Sequence, residues 1–364
     1  MPKKFILESG EKFTVGILFK FCLIQIHMFN KREIFIVLAI VLFMMRASAN
    51  QINLSDLSIE EKIGQMIIVK ANDGINEKFI SLGVGGIFLN DGKTTEQFKE
   101  IINEYQNKSK IKLFVSTDME GYWNPFSDYK SKSFGEIKNS KESKSLGKEH
   151  AEKLKEAGFN LDFSPVVESK NKVWPGRSFE GDFNERKAKI ESYIFALQEN
   201  GIIATAKHYP GGSMEKNPHW RLVKAENDKE DLENFNVAIN ADVKAIMVGH
   251  AIVSGEIDSF GKSASISPEV LQILRNSFSG LIITDDISML GLRLKYLFKR
   301  EKMCVDLVKA GNDIILDSWK TNPKKVERCI KTIVNSVSFG EISEERINES
   351  VKRILEAKGY KVIG

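Results

Sequence analysis

Eight short apolar runs, most of them separated by amphipathic stretches, constrain the fold of this chain more than any other feature. The runs are Gln65–Val69, Val84–Leu89, Lys112–Asp118, Asn160–Val166, Ile202–His208, Ala245–His250, Leu281–Asp286 and Asp313–Leu316. Their length and β-branched content predict buried strands. Between them lie helical patterns such as Thr95–Asn107, where Phe98, Ile101, Ile102 and Tyr105 share one face. Lys141–Ala157, Glu185–Glu199, Pro268–Asn276 and Glu301–Lys309 are of the same kind, and Lys324–Val337 and Glu344–Glu356 follow the last run. Eight strands alternating with helices over about 300 residues predict an α/β chain folded as a single (β/α)8 TIM-type barrel. The structural rival, a doubly wound open sheet, lacks its usual mark, a strand followed by a Gly-rich dinucleotide fingerprint. No Pro- or Ser-rich linker breaks residues 50–364, so one domain is expected there. Residues 122–145 are rich in Lys, Ser, Tyr and Asp and predict a long exposed loop after the third strand.

Residues 1–49 read as a leader segment and not as fold. Lys31 and Arg32 form a basic start, Ile34 to Met45 an apolar core, and Ala47-Ser48-Ala49 a small-residue cleavage site before Asn50. Met28 is then the expected start, although the apolar block Phe13 to Met28 would let the segment act as an anchor. The expected location is periplasmic or extracellular, or cytoplasmic if the leader does not function. Contact with membrane is expected only in passing, through the leader. The formal charge of +4 resides in this segment, because the remainder holds 46 basic and 46 acidic residues. A neutral body gives no electrostatic reason to expect nucleic acid as a partner. Cys304 and Cys329 lie in helical stretches without metal-ligand spacing, and two buried free thiols are expected.

In a barrel of this kind, polar residues at the C-terminal ends of strands converge on one face. Here those ends carry Asp118-Met119-Glu120-Gly121, Asp162, Lys207-His208, His250 and Asp285-Asp286. His219 lies in the loop after the Lys-His pair, and His150 sits in a helix, where a solvent-facing role suffices. A Ser nucleophile elbow and a helical HExxH zinc pattern are both missing. Carboxylates, imidazoles and cations suit acid/base work on hydroxyl-rich substrates, of which glycoside hydrolysis is the leading case. Tyr122, Trp123, Trp174, Tyr209 and Trp220 would offer faces for sugar rings or pack beside the rim.

From about Leu57 to Ala357 the chain resembles glycoside hydrolase family 3, in its β-N-acetylglucosaminidase branch. The resemblance is carried by Leu57 to Val69, Val84-Gly85-Gly86-Ile87, Asp118-Met119-Glu120-Gly121, Gly158 to Val166 and Gly176-Arg177-Ser178-Phe179. It continues through Lys207-His208-Tyr209-Pro210-Gly211, Ser265 to Leu271, Gly280 to Leu292 and Ala310-Gly311-Asn312-Asp313. It implies a retaining β-N-acetylhexosaminidase that acts on amino-sugar oligosaccharides from peptidoglycan and needs no cofactor or metal; a monomer is the expected state. By the same resemblance Asp285 is the nucleophile, Asp118 holds sugar hydroxyls, and Arg177, Lys207 and His208 contact the sugar. His250 and Asp162 line the floor, and His219 is the proton donor on a loop after the Lys-His pair.

Three positions depart from the family pattern. Asn217 stands where an aspartate would orient the donor histidine, with Glu215 as a possible substitute carboxylate. The loop from Lys207 to His219 is one residue shorter. Gly121-Tyr122-Trp123 replaces a Gly-Gly-Arg. These departures keep open a second function class, a catalytically impaired barrel that binds wall sugars as a scaffold. A β-glucosidase of the same family fits less well, because its acid/base normally comes from a further domain.

Overall fold

Each of the eight apolar runs contributes a strand to one parallel sheet. The computed structural model describes residues 51–364 apart from 72–75, 169–172, 213–216, 218–220, 298 and 320. The leader expected for residues 1–49 lies outside the described residues. The strands are β1 (Ile67–Lys70), β2 (Gly86–Phe88), β3 (Phe114–Thr117), β4 (Leu161–Asp162), β5 (Ile203–Tyr209), β6 (Ala245–Val248), β7 (Leu281–Thr284) and β8 (Ile315–Asp317). Their order in the sheet is β7-β6-β5-β4-β3-β2-β1-β8. Ile283 of β7 bridges Ile314, just before β8, in parallel. The Thr284 amide donates to the Ile314 carbonyl at 3.0 Å, which closes the sheet into the expected barrel. Strands β3, β6 and β7 are buried at every position. A strand covered on both faces reads as a continuous apolar run, which is why these were legible without alternation.

Eight longer helices surround the sheet: α1 (Thr95–Lys108), α2 (Ser140–Ala157), α3 (Phe183–Glu199), α4 (Lys229–Asn240), α5 (Pro268–Ser277), α6 (Arg300–Ala310), α7 (Pro323–Ser338) and α8 (Glu344–Ala357). Their starts are chemically marked. Thr94 and Gln97 form a capping box on α1, and Asp182 and Glu185 form another on α3. Seven of these helices follow from periodicity, but α4 does not. Its buried face includes Asp231 and Asn234 beside Phe235, Val237 and Ala238, so its apolar signal is diluted. A small parallel ribbon, Lys224–Asn227 with Ile252–Gly255, was also missed because its strands are polar and half exposed.

Two expectations are corrected here. The segment 122–145 is not simply an exposed loop. Phe126, Phe134 and Ile137 are buried, Phe134 packs 4.7 Å from Phe179 and 5.0 Å from Tyr193, and α2 already begins at Ser140. The thiols of Cys304 and Cys329 are buried as expected but not free. They form a disulfide between α6 and α7, with Cα atoms 5.8 Å apart. Spacing alone could not reveal that the two helices pack side by side. The bond closes a loop with a sequence separation of 25. Replacing both cysteines with serine should therefore cost about 3 kcal/mol, read as an earlier midpoint in urea unfolding.

Candidate active site

The C-terminal ends of the strands open onto a cleft of about 260 Å³. Of the residues singled out from sequence, Asp118, Arg177, Lys207, His208, His250 and Asp285 line it together. His219 and Trp220 lie outside the described residues.

A four-charge cluster forms one wall. Lys207, only 1% exposed at the end of β5, donates from Nζ to Asp118 Oδ1 at 2.6 Å and pairs with Glu120 Oε1 at 2.5 Å. Arg177 grips the same Glu120 with both arms of its fork, from Nε at 2.6 Å and Nη2 at 2.9 Å. Glu120 is fully buried, yet two cations offset its charge. Burial is the largest influence and pushes its carboxyl up, but the charges of Arg177 and then Lys207 outweigh it and hold the group at about 2. Glu120 appeared in the acidic motif without a role, although its place two residues after Asp118 was the available signal. The turn after it requires glycine: Gly121 has φ of +76°, and a Cβ there would stand 1.8 Å from the Lys132 carbonyl oxygen.

Asp162 is not on the floor of the cleft as expected. It is fully buried below, where its oxygens accept from the Met119 amide at 2.8 Å and pair with Ser164 Oγ at 2.5 Å. Burial pushes its carboxyl up to about 8, and its bond from the Met119 amide fixes the backbone between Asp118 and Glu120. His150 is also corrected. It is fully buried, between Tyr193 Oη at 2.7 Å and Ser131 Oγ at 2.5 Å, and burial lowers its imidazole to about 3.

The opposite wall carries the paired carboxylates. The Asp285 amide donates to the Val248 carbonyl at 3.0 Å, continuing the β6–β7 ladder past the strand end. Its Oδ1 accepts from the Asp286 amide at 2.7 Å, and the residue is partly exposed to the cleft. Asp286 turns its Oδ1 to the Ser288 and Ser318 amides, both at 3.0 Å, tying together the loops after β7 and β8. Burial raises its carboxyl to about 7. Both carboxylates line the cleft, and Asp286 also braces its walls through Oδ1. His250 holds the backbone of the same turn. Its Nε2 faces the Asp286 carbonyl at 3.1 Å, which only accepts, so Nε2 carries the proton and Nδ1 accepts from Ser265 Oγ at 2.7 Å. Burial lowers the pKa of this imidazole.

Glu168 was not nominated from sequence. It lines the cleft at 3% exposure and accepts from His208 Nδ1 at 2.8 Å. Trp123, Trp174 and Tyr209 also line the cleft. The Arg177 guanidinium stacks over Trp174 at 5.1 Å, and Tyr122 meets Trp123 edge-on at 5.5 Å.

The chain is similar to several known proteins. A protein of Cellulomonas fimi named beta-N-acetylglucosaminidase/beta-glucosidase is 26% identical over 338 residues, covering 84% of this chain and 58% of its own length. A protein of Idiomarina loihiensis named beta-hexosaminidase is 28% identical over 306 residues, covering 74% of this chain and 91% of its own. Among solved structures, a glycoside hydrolase family 3 beta-N-acetylglucosaminidase from a Paenibacillus species superposes with a TM-score of 0.74 at 24% identity. That match covers 83% of this chain and 62% of the other. The chain therefore spans less than two thirds of the Cellulomonas and Paenibacillus proteins and most of the Idiomarina one. The model of the glycosyl hydrolase family 3 N-terminal domain matches residues 58–357, and the chain belongs to that family.

Proposed function

We propose that the chain is a retaining β-N-acetylhexosaminidase that releases terminal β-N-acetylglucosamine, with peptidoglycan fragments as its substrates. The observation that carries this reading is the placement of Asp285 on a rigid strand end, open to a cleft whose far wall is charged and preorganised. Such a wall suits a polyhydroxylated ring: Asp118 accepts from sugar hydroxyls, and Arg177 and Lys207 hold the carboxylates in place. In the mechanism, Asp285 attacks the anomeric carbon, the glycosidic bond breaks, and a covalent glycosyl-enzyme forms with inversion at that carbon. His219 gives its proton to the leaving oxygen. It then takes one from the water that attacks the intermediate, and the second inversion restores the β configuration. The names of the relatives favour the N-acetylhexosamine specificity. The buried disulfide favours an exported protein, since such bonds persist in oxidising compartments.

Asn217 supports a second reading, a barrel that binds amino sugars but turns them over slowly. An amide oxygen accepts a hydrogen bond from an imidazole but does not balance an imidazolium, and the comparable loss in serine proteases costs about 10⁴-fold. The test is hydrolysis of a chromogenic β-N-acetylglucosaminide by the wild type and by Asn217→Asp. Release by the wild type, increased about tenfold or more by the substitution, is the expected result. Sugar binding without any release by either protein would select the binding barrel.

A further inference from the structure

We propose that Glu168 is a positioning residue that fixes the orientation and tautomer of His208 in the cleft. This inference rests on the hydrolase reading above for its kinetic consequence, but not for its geometry. The contact is built into the barrel wall. Beyond the end of β4, Val166 bridges Lys207 in parallel, and the Val167 amide donates to the Lys207 carbonyl at 3.0 Å. The Asn234 side chain of α4 then clasps the Val167 carbonyl at 3.0 Å. These bonds set Glu168 abreast of His208, where its Oε1 accepts from both Nδ1 at 2.8 Å and the backbone amide at 3.3 Å. On the other side, the His208 Cβ packs against Gly249, where an added Cβ would stand 3.4 Å away. The Glu168 contact orients the ring, and Gly249 leaves room for the side chain's Cβ.

The chemical consequence follows from the donor inventory. A carboxylate only accepts, so the Nδ1 it faces carries a proton whether the imidazole is neutral or charged. Among the described residues nothing bonds to Nε2, which is left to address the cleft. In the neutral ring that nitrogen is an acceptor, suited to a sugar hydroxyl. Without Glu168 either nitrogen could hold the proton and the ring could turn, so the acceptor would be lost in part of the molecules.

The test uses Glu168→Gln and Glu168→Asp in the full chain, with ¹⁵N-histidine spectra assigned by a His208→Asn difference. The wild-type spectrum should show His208 protonated at Nδ1. Glu168→Gln should mix the tautomers and lower kcat/KM on the chromogenic substrate by about 10- to 100-fold, and Glu168→Asp should recover part of both. Unfolding in urea checks that each variant is folded. A wild-type His208 protonated only at Nε2, or an unchanged spectrum and rate in a folded Glu168→Gln, would overturn the proposal. If the wild type hydrolyses nothing, the hydrolase reading fails by itself, while the spectra still decide the role of Glu168.

Discussion

Replacing Asp285 with alanine should lower turnover of a chromogenic β-N-acetylglucosaminide by at least about 10³-fold while the protein stays folded. The size follows from the role. If the carboxylate forms a bond to the anomeric carbon, its loss removes the attacking group, and the adjacent Asp286 is anchored through Oδ1 by the Ser288 and Ser318 amides. The fold should survive because the strand is held by backbone bonds, including that from the Asp285 amide to Val248. Affinity for N-acetylglucosamine, measured by calorimetry, should change far less than turnover, because Asp118, Arg177 and Lys207 remain. A variant that keeps even a tenth of wild-type turnover would show that Asp285 is not the nucleophile.

Glu120→Gln should be the most damaging substitution for stability, at about 3–5 kcal/mol by urea unfolding near neutral pH. It leaves Arg177 and Lys207, 7% and 1% exposed, without the carboxylate that both of them hold. The same substitution should change the acid limb of the stability profile. The Glu120 carboxyl sits at about 2 in the folded state against an ordinary 4.5. A depressed carboxyl contributes stability that is present above 4.5 and lost as pH falls toward 2. The wild type should therefore lose stability across that window more steeply than Glu120→Gln. Parallel acid limbs in the two proteins would contradict the pairing seen in the structure.

The frame of the molecule was legible because its signals are local. Strands such as Leu281–Thr284 are buried on both sides and read as apolar runs, and the helix starts are marked by capping residues. Asp285, Lys207 and His208 were visible because strand ends in a barrel face one way. What escaped depends on neighbours distant in sequence. Glu120 and Arg177 are 57 positions apart, and Glu168 and His208 are 40 apart. No pattern within either stretch announces the partner. Asp162 shows the opposite error: a carboxylate at a strand end looks like a site residue until its burial beneath Met119 is known. The disulfide escaped for the same reason, since only the packing of α6 on α7 brings its cysteines together.

The central claim is that Asp285 attacks the sugar. Its most direct test is to incubate the protein with a fluorinated N-acetylglucosaminyl fluoride, which forms the glycosyl-enzyme but slows its breakdown, and to locate the label by peptide mass spectrometry. One added sugar on Asp285, absent from Asp285→Ala, is the predicted result. A label on any other residue, or an unlabelled protein that still binds the reagent, would contradict it.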